Sequence, residues 1–198
     1  MSITNYGPLM PEKLILHYRD PGASPADPQW LEQQLRAIGF LGERYNQAGD
    51  NQFLTGPDFL QYISFIGCSP TIYTTLNEAG RPGFCHMEIS TVSQQTRFLG
   101  ANNIRYFYCP HCRHKAKEPT FRHMQDPDGP DNLWKCPDCG NDIPVYELDL
   151  REQGGFGRFY IAIWGIGEGL AIPSDKLLAE LERITEKSWR FFYCRTHE

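Results

Sequence analysis

The sequence predicts an α+β fold: a mixed or mainly antiparallel sheet, two or three packed helices, and a cysteine-rich segment set into the middle of the chain. Three observations carry this expectation. Short apolar, β-branched and aromatic runs of strand length recur along the chain, several segments show helical spacing behind a capping residue, and four of seven cysteines fall in two close pairs flanked by strand-like segments. The 198 residues amount to about one domain with room for an insertion. With 40% hydrophobic, 22% charged and 13% aromatic residues, the chain is neither collagen-like, a coiled coil nor a disordered tail. At this length folding buries roughly 70% of the unfolded surface, so the core needs no covalent staples.

Taken in order, Leu14 to Tyr18 predicts a strand, and the turn-rich stretch with Pro21, Gly22, Pro25 and Pro28 follows it. Asp27 is placed to cap a helix with Pro28 at its first position, where a missing N–H costs nothing. Trp30, Leu31, Leu35 and Ile38 would form its apolar face, and Gly39 and Gly42 mark its end. A second helix is expected from Thr55 as cap and Pro57 just inside, burying Phe59, Leu60, Ile63 and Ile66 before Gly67 and Pro70. Strands are expected at Thr71 to Leu76, Phe84 to Thr91 and Ile104 to Tyr108. In the second of these Cys85, Met87 and Ile89 share a face. Val145 to Leu150 reads as a strand, Gly154, Gly155 and Gly157 as a flexible turn, and Arg158 to Trp164 as a buried strand. Ser174 caps a helix with Leu177, Leu178, Leu181 and Ile184 on one face, and Trp189 to Cys194 closes the chain as a strand. Leu14 to Tyr45 and Phe159 to Tyr193 share the outline strand, proline-bearing loop, helix and aromatic segment, which a duplication would leave and which strand–loop–helix units also produce simply by being common.

The formal net charge is −5, from 24 acidic and 19 basic residues, which argues against non-specific coating of DNA by the whole molecule. No basic stretch followed by an apolar one opens the chain, and its longest apolar run, Phe159 to Ile172, is broken by Gly165, Gly167, Glu168 and Gly169. The expectation is a cytoplasmic protein with no membrane partner. In a reducing compartment, cysteine pairs are more often metal ligands than disulfides, and an odd count of seven points the same way.

The chemistry sits in Cys109-Pro110-His111-Cys112 and Cys136-Pro137-Asp138-Cys139-Gly140, two C-x2-C pairs separated by 23 residues. Two residues between cysteines let a tight turn aim both sulfurs at one point, and two such turns on adjacent hairpins bring four thiolates into a tetrahedron. This pattern resembles the zinc-ribbon family over residues 104–146, and the second knuckle is similar to a rubredoxin knuckle. The resemblance implies Cys109, Cys112, Cys136 and Cys139 as the four ligands and Zn2+ as the ion, with iron as the alternative that the same thiolates accept. The first knuckle departs from the rubredoxin pattern, because Arg113 stands where that family has glycine. A thiol–disulfide catalyst is a further alternative, although such catalysts use one pair rather than two. Zinc-finger peptides gain about 10–16 kcal/mol from their metal. A segment with six prolines or glycines between Cys109 and Gly140 could not close a core without such help. The segment reads as an insertion into one α+β core formed by 1–103 and 147–198.

Other features have weaker chemistry. Arg105, Arg113, Lys115, Lys117 and Arg122, with Tyr106, Tyr108 and Phe121 interleaved, would suit a phosphate backbone with stacked bases, or a solvated loop neutralised by nearby aspartates. Asp126 to Asp131 is a rigid acidic turn rather than a calcium loop, because two prolines disturb it. Cys85 and Cys194 read as core cysteines. So does Cys68, but its glycine-flanked turn makes it the candidate reactive thiol. Gly165-Ile166-Gly167-Glu168-Gly169 misses the dinucleotide spacing and reads as a connection. Three functions follow: a zinc-binding accessory or adaptor protein whose ribbon docks a protein partner, an RNA- or DNA-binding protein using the basic first knuckle, and a thiol-dependent enzyme at Cys68.

Overall fold

In a computed structural model, residues 12–45, 51–66, 72–75, 77, 79, 84–100, 104–117 and 133–195 are described. The strands are β1 (Glu12–Tyr18), β2 (Leu41–Arg44), β3 (Gln52–Thr55), β4 (Ile63–Phe65), β5 (His86–Ile89), β6 (Arg97–Phe98), β7 (Tyr106–Tyr108), β8 (Lys115–Lys117), β9 (Leu133–Lys135), β10 (Asp142–Pro144), β11 (Phe156–Gly157), β12 (Tyr160–Trp164), β13 (Ala171–Pro173) and β14 (Trp189–Arg195). The helices are α1 (Pro28–Ala37) and α2 (Asp175–Thr185).

The main sheet has the order β14-β1-β12-β5-β3-β2, and every pairing in it is antiparallel. Its first four strands, with α1 between β1 and β5 and α2 between β12 and β14, form the split β-α-β-β-α-β arrangement of ferredoxin-like sheets. The β2–β3 hairpin extends the β5 edge. The two chain ends thus contribute one strand–helix unit each to a common sheet.

Both helices pack on the same sheet face. Leu31 and Leu35 from α1 and Leu177, Leu181 and Ile184 from α2 join Leu14, Leu16, Phe53, Met87, Ile161 and Ile163 in one buried cluster. The caps form as the sequence dictates: Asp27 accepts hydrogen bonds from the N–H groups of Gln29 and Trp30, and Ser174 accepts from that of Leu177. Tyr18 and Trp189, on neighbouring strands, pack with ring centroids 4.2 Å apart. On the opposite face Ile15, Ala162, Phe192 and Cys194 form a smaller buried group.

Four expectations are corrected. The second helix is a single 3-10 turn, Phe59–Gln61, because Ile63–Phe65 pairs as an antiparallel strand with the sequence-distant Ala171–Pro173; Leu60 and Ile66 are left exposed. Trp30 is exposed rather than buried on α1, since the stripe that meets the sheet is only Leu31 and Leu35. Val145 to Leu150 is not a strand: Val145–Glu147 is a 3-10 turn, and a lone bridge joins Tyr108 to Asp149. Phe156–Gly157 is a strand paired with Arg97–Phe98 rather than a flexible turn. Of the Thr71 to Leu76 strand, the described residues show one bridge, Tyr73 to Phe84.

Candidate metal centre

Two short hairpins carry the cysteines. In β7–β8, Phe107 faces Ala116, and in β9–β10, Trp134 faces Ile143, so each hairpin turns one apolar pair inward. These residues join Ile104, Val145, Leu148, Leu150 and Phe156 in a buried cluster separate from that under the helices. The Phe107 and Trp134 rings meet edge to face at 5.2 Å.

The knuckles are built alike. The Cys109 N–H donates to the His114 carbonyl at 2.9 Å and the Arg113 N–H to the Cys109 carbonyl at 3.0 Å. In the second, the Cys136 N–H donates to the Asn141 carbonyl and the Gly140 N–H to the Cys136 carbonyl, each at 2.9 Å. Both turns close with a left-handed residue, Arg113 at φ 64° and Gly140 at φ 71°. His114 Nδ1 lies 2.7 Å from Asp138 Oδ2 and so ties one knuckle to the other.

The four sulfurs come together. All lie within 4.8 Å of one another, with Cys112 and Cys136 at 3.5 Å and Cys109 and Cys139 at 3.8 Å. A zinc tetrahedron with bonds of about 2.3 Å has edges of about 3.8 Å, so the donor set fits a metal of that size. All four thiols are free, at separations far beyond a disulfide bond of about 2.0 Å. Cys109 and Cys136 are buried, and Cys112 and Cys139 face outward.

The sulfurs do not share one charge state on their own. At Cys109 desolvation disfavours the thiolate, but the N–H groups of Cys112 and His111 and the thiols of Cys112 and Cys136 outweigh it and hold the thiol down to about 6. At Cys112 the His114 N–H favours the thiolate, but desolvation and the sulfurs of Cys136, Cys109 and Cys139 push it up to about 12. A bound dication removes this conflict, because it favours all four thiolates together.

The basic residues are distributed unevenly. Arg113 pairs with Asp149 at 3.0 Å and lies over the Tyr108 ring, and Lys115 sits 3.9 Å from the centre of the Tyr106 ring. Arg105 and Lys117 are exposed. Arg122, Cys68 and the Asp126 to Asp131 turn lie outside the described residues. Cys85 is fully buried, which pushes its thiol up to about 12, and burial also raises that of Cys194. Neither shows the lowered pKa of a nucleophile. No helix among the described residues is long and apolar enough to cross a membrane.

Sequence reasoning missed the Arg113–Asp149 bridge and the His114–Asp138 link. The Arg113 departure from glycine was the available signal, since it marks a turn needing φ > 0. No family model matches this chain, and no curated protein or solved structure is significantly similar to it. The class the observations define is therefore an α+β protein with a four-cysteine site able to hold a metal ion.

Proposed function

We propose that this is a zinc-binding accessory or adaptor protein. Cys109, Cys112, Cys136 and Cys139 hold Zn2+, and the ion rigidifies a zinc ribbon over residues 104–146. The ribbon is inserted into one core made of 1–103 and 147–198 and docks a protein partner. The observation that carries this reading is the sulfur geometry, whose 3.5 and 3.8 Å edges match a zinc–thiolate tetrahedron. Four thiolates complete the coordination of zinc and leave no position for water, so the ion would build structure rather than activate a nucleophile. Leu133 and Tyr146 leave apolar surface exposed on this segment, at 54% and 46%, which a protein partner would cover. Metal analysis tests the ion, and iron would announce itself by colour. Docking is tested with a photoreactive side chain at Lys135. It should crosslink one protein in cells, and Leu133→Asp should abolish that product. Crosslinks no more specific than those from Glu180 on α2 would remove the docking claim.

A second reading is RNA or DNA binding, and one observation favours it. Tyr106 stands opposite Lys117 and Tyr108 opposite Lys115, so aromatic and basic side chains alternate on one face of the β7–β8 hairpin. Salt-sensitive oligonucleotide binding, lost in Lys115→Glu and Lys117→Glu, would support it. No binding at low salt would discard it.

A further inference from the structure

At one end of the main sheet, His17 on β1 stands directly opposite Arg190 on β14, and cross-strand partners share a face. Together with Arg19, Asp149 and Arg151 they line a recess of about 70 Å3. That is room for an oxyanion or a few waters, since one water needs about 10–15 Å3 by this measure. The recess shares most of its lining with a larger cleft of about 1310 Å3 that also borders Pro110 and Arg113 of the first cysteine knuckle.

The charges in the recess are not balanced. Three guanidiniums, those of Arg19, Arg151 and Arg190, face one carboxylate. That carboxylate, Asp149, is already held by Arg113 at 3.0 Å and Arg151 at 3.5 Å. Neither Arg19 nor Arg190 has a carboxylate within ion-pair distance among the described residues. Both side chains are exposed to solvent; desolvation and the neighbouring Arg19 lower the pKa of Arg190, and Asp149 opposes them.

His17 is 7% exposed, and its Nδ1 has no hydrogen-bond partner among the described residues. Gly155 packs against its ring so closely that a Cβ there would sit 2.6 Å from Nε2. An unpartnered buried polar atom is costly, and adjacent guanidiniums repel each other. One oxyanion resolves both, accepting from the arginine forks and from an Nδ1–H tautomer of His17.

We propose that this recess binds the phosphate or carboxylate group of a small molecule, gripped by Arg19 and Arg190 with His17 as the buried donor. The rest of the ligand lies in the outer cleft, beside Tyr146 and Phe191. Asp20, Glu147, Glu152 and Glu168 also line that cleft and repel further negative charge. The ligand therefore carries one anionic group and is not a nucleic-acid strand.

The full-length protein, as purified, is titrated with inorganic phosphate and, in a separate arm, with acetate. Calorimetry and the His17 imidazole resonances are followed. One saturable site is expected for at least one anion, and the tighter of the two names the group. Binding raises the His17 pKa, and Arg19→Gln and Arg190→Gln each weaken it by about tenfold or more. Arg183→Gln on α2, a control whose arginine pairs with Glu180, binds as the parent does. Unfolding midpoints confirm that each variant is folded. A dissociation constant weaker than about 10 mM for both anions, or affinity unchanged in both cleft variants, overturns the proposal. So does an oligonucleotide that displaces the anion from this site.

Discussion

Arg113 and Gly140 occupy the same position in the two cysteine turns, four residues after Cys109 and Cys136, and both adopt left-handed backbone at φ 64° and 71°. A Cβ on Gly140 meets nothing within 4 Å, so Gly140→Ala isolates the backbone cost. That substitution should destabilise the metal-loaded protein by about 1 kcal/mol, read from denaturant unfolding. Arg113 already bears the same strain, so Arg113→Ala loses a largely exposed ion pair with Asp149 and the contact over the Tyr108 ring but no backbone strain, and should cost less, about 0–1 kcal/mol. Equal costs at the two positions would refute the equivalence of the turns.

Chelation should unfold the hairpins and spare the main sheet, because the two apolar clusters are separate. Hydrogen exchange after metal removal should lose protection at Phe107, Trp134 and Ile143 while Leu16 and Ile161 keep theirs. Cys136→Ser should reproduce this pattern. Loss of protection across β1 and β12 as well would show that the metal supports the whole fold.

His17 makes stability depend on acid. Burial, then the charge of Arg190, holds its imidazole down to about 4 against an ordinary 6.5, opposed by main-chain groups of Tyr18 and Phe156. Arg19, Arg151 and Asp149 also face it across the recess. A depressed folded pKa means that the unfolded chain takes up the proton first. The full stability is therefore present above about pH 6.5 and falls as pH drops towards about 4, by about 3 kcal/mol in all. Thiolate protonation adds its own loss, so the measurement is the difference between the parent and His17→Leu in buffer free of phosphate and carboxylate. The stability of the parent relative to the variant should fall as pH drops through this window, and parallel curves would contradict it.

Leu181→Ala on α2 should cost about 2–5 kcal/mol, whereas Leu60→Ala should stay within about 0.5 kcal/mol. Both leucines sit at helical spacing in the sequence, but Leu181 is fully buried and Leu60 is 56% exposed. Thermal or denaturant unfolding distinguishes them, and a large loss at Leu60 would restore a buried helix there.

What could be read in advance was local. Asp27 accepting from the N–H groups of Gln29 and Trp30, and Ser174 from that of Leu177, specify helix starts through hydrogen bonds spanning two or three residues, and both helices form as expected. The apolar runs of β1, β12 and β14 needed no partner to be recognised. The failures came from pairings remote in sequence. Ile63 to Phe65 carries a helical pattern, but its strand partner, Ala171–Pro173, lies more than a hundred residues away. His17 and Arg190 meet only because β14 returns beside β1, so no sequence window contains the recess. The cysteine quartet was legible because each pair forms its own turn. What the spacing left open was that the two turns would meet, and it is the packing of Phe107 on Trp134 that brings them together.

The most direct test is the metal content of the full-length protein, purified without added metal and measured by elemental analysis alongside the Cys136→Ser variant. The account predicts one zinc per chain in the parent and a large loss in the variant. A chain with no metal, or with zinc bound equally well without Cys136, would contradict it.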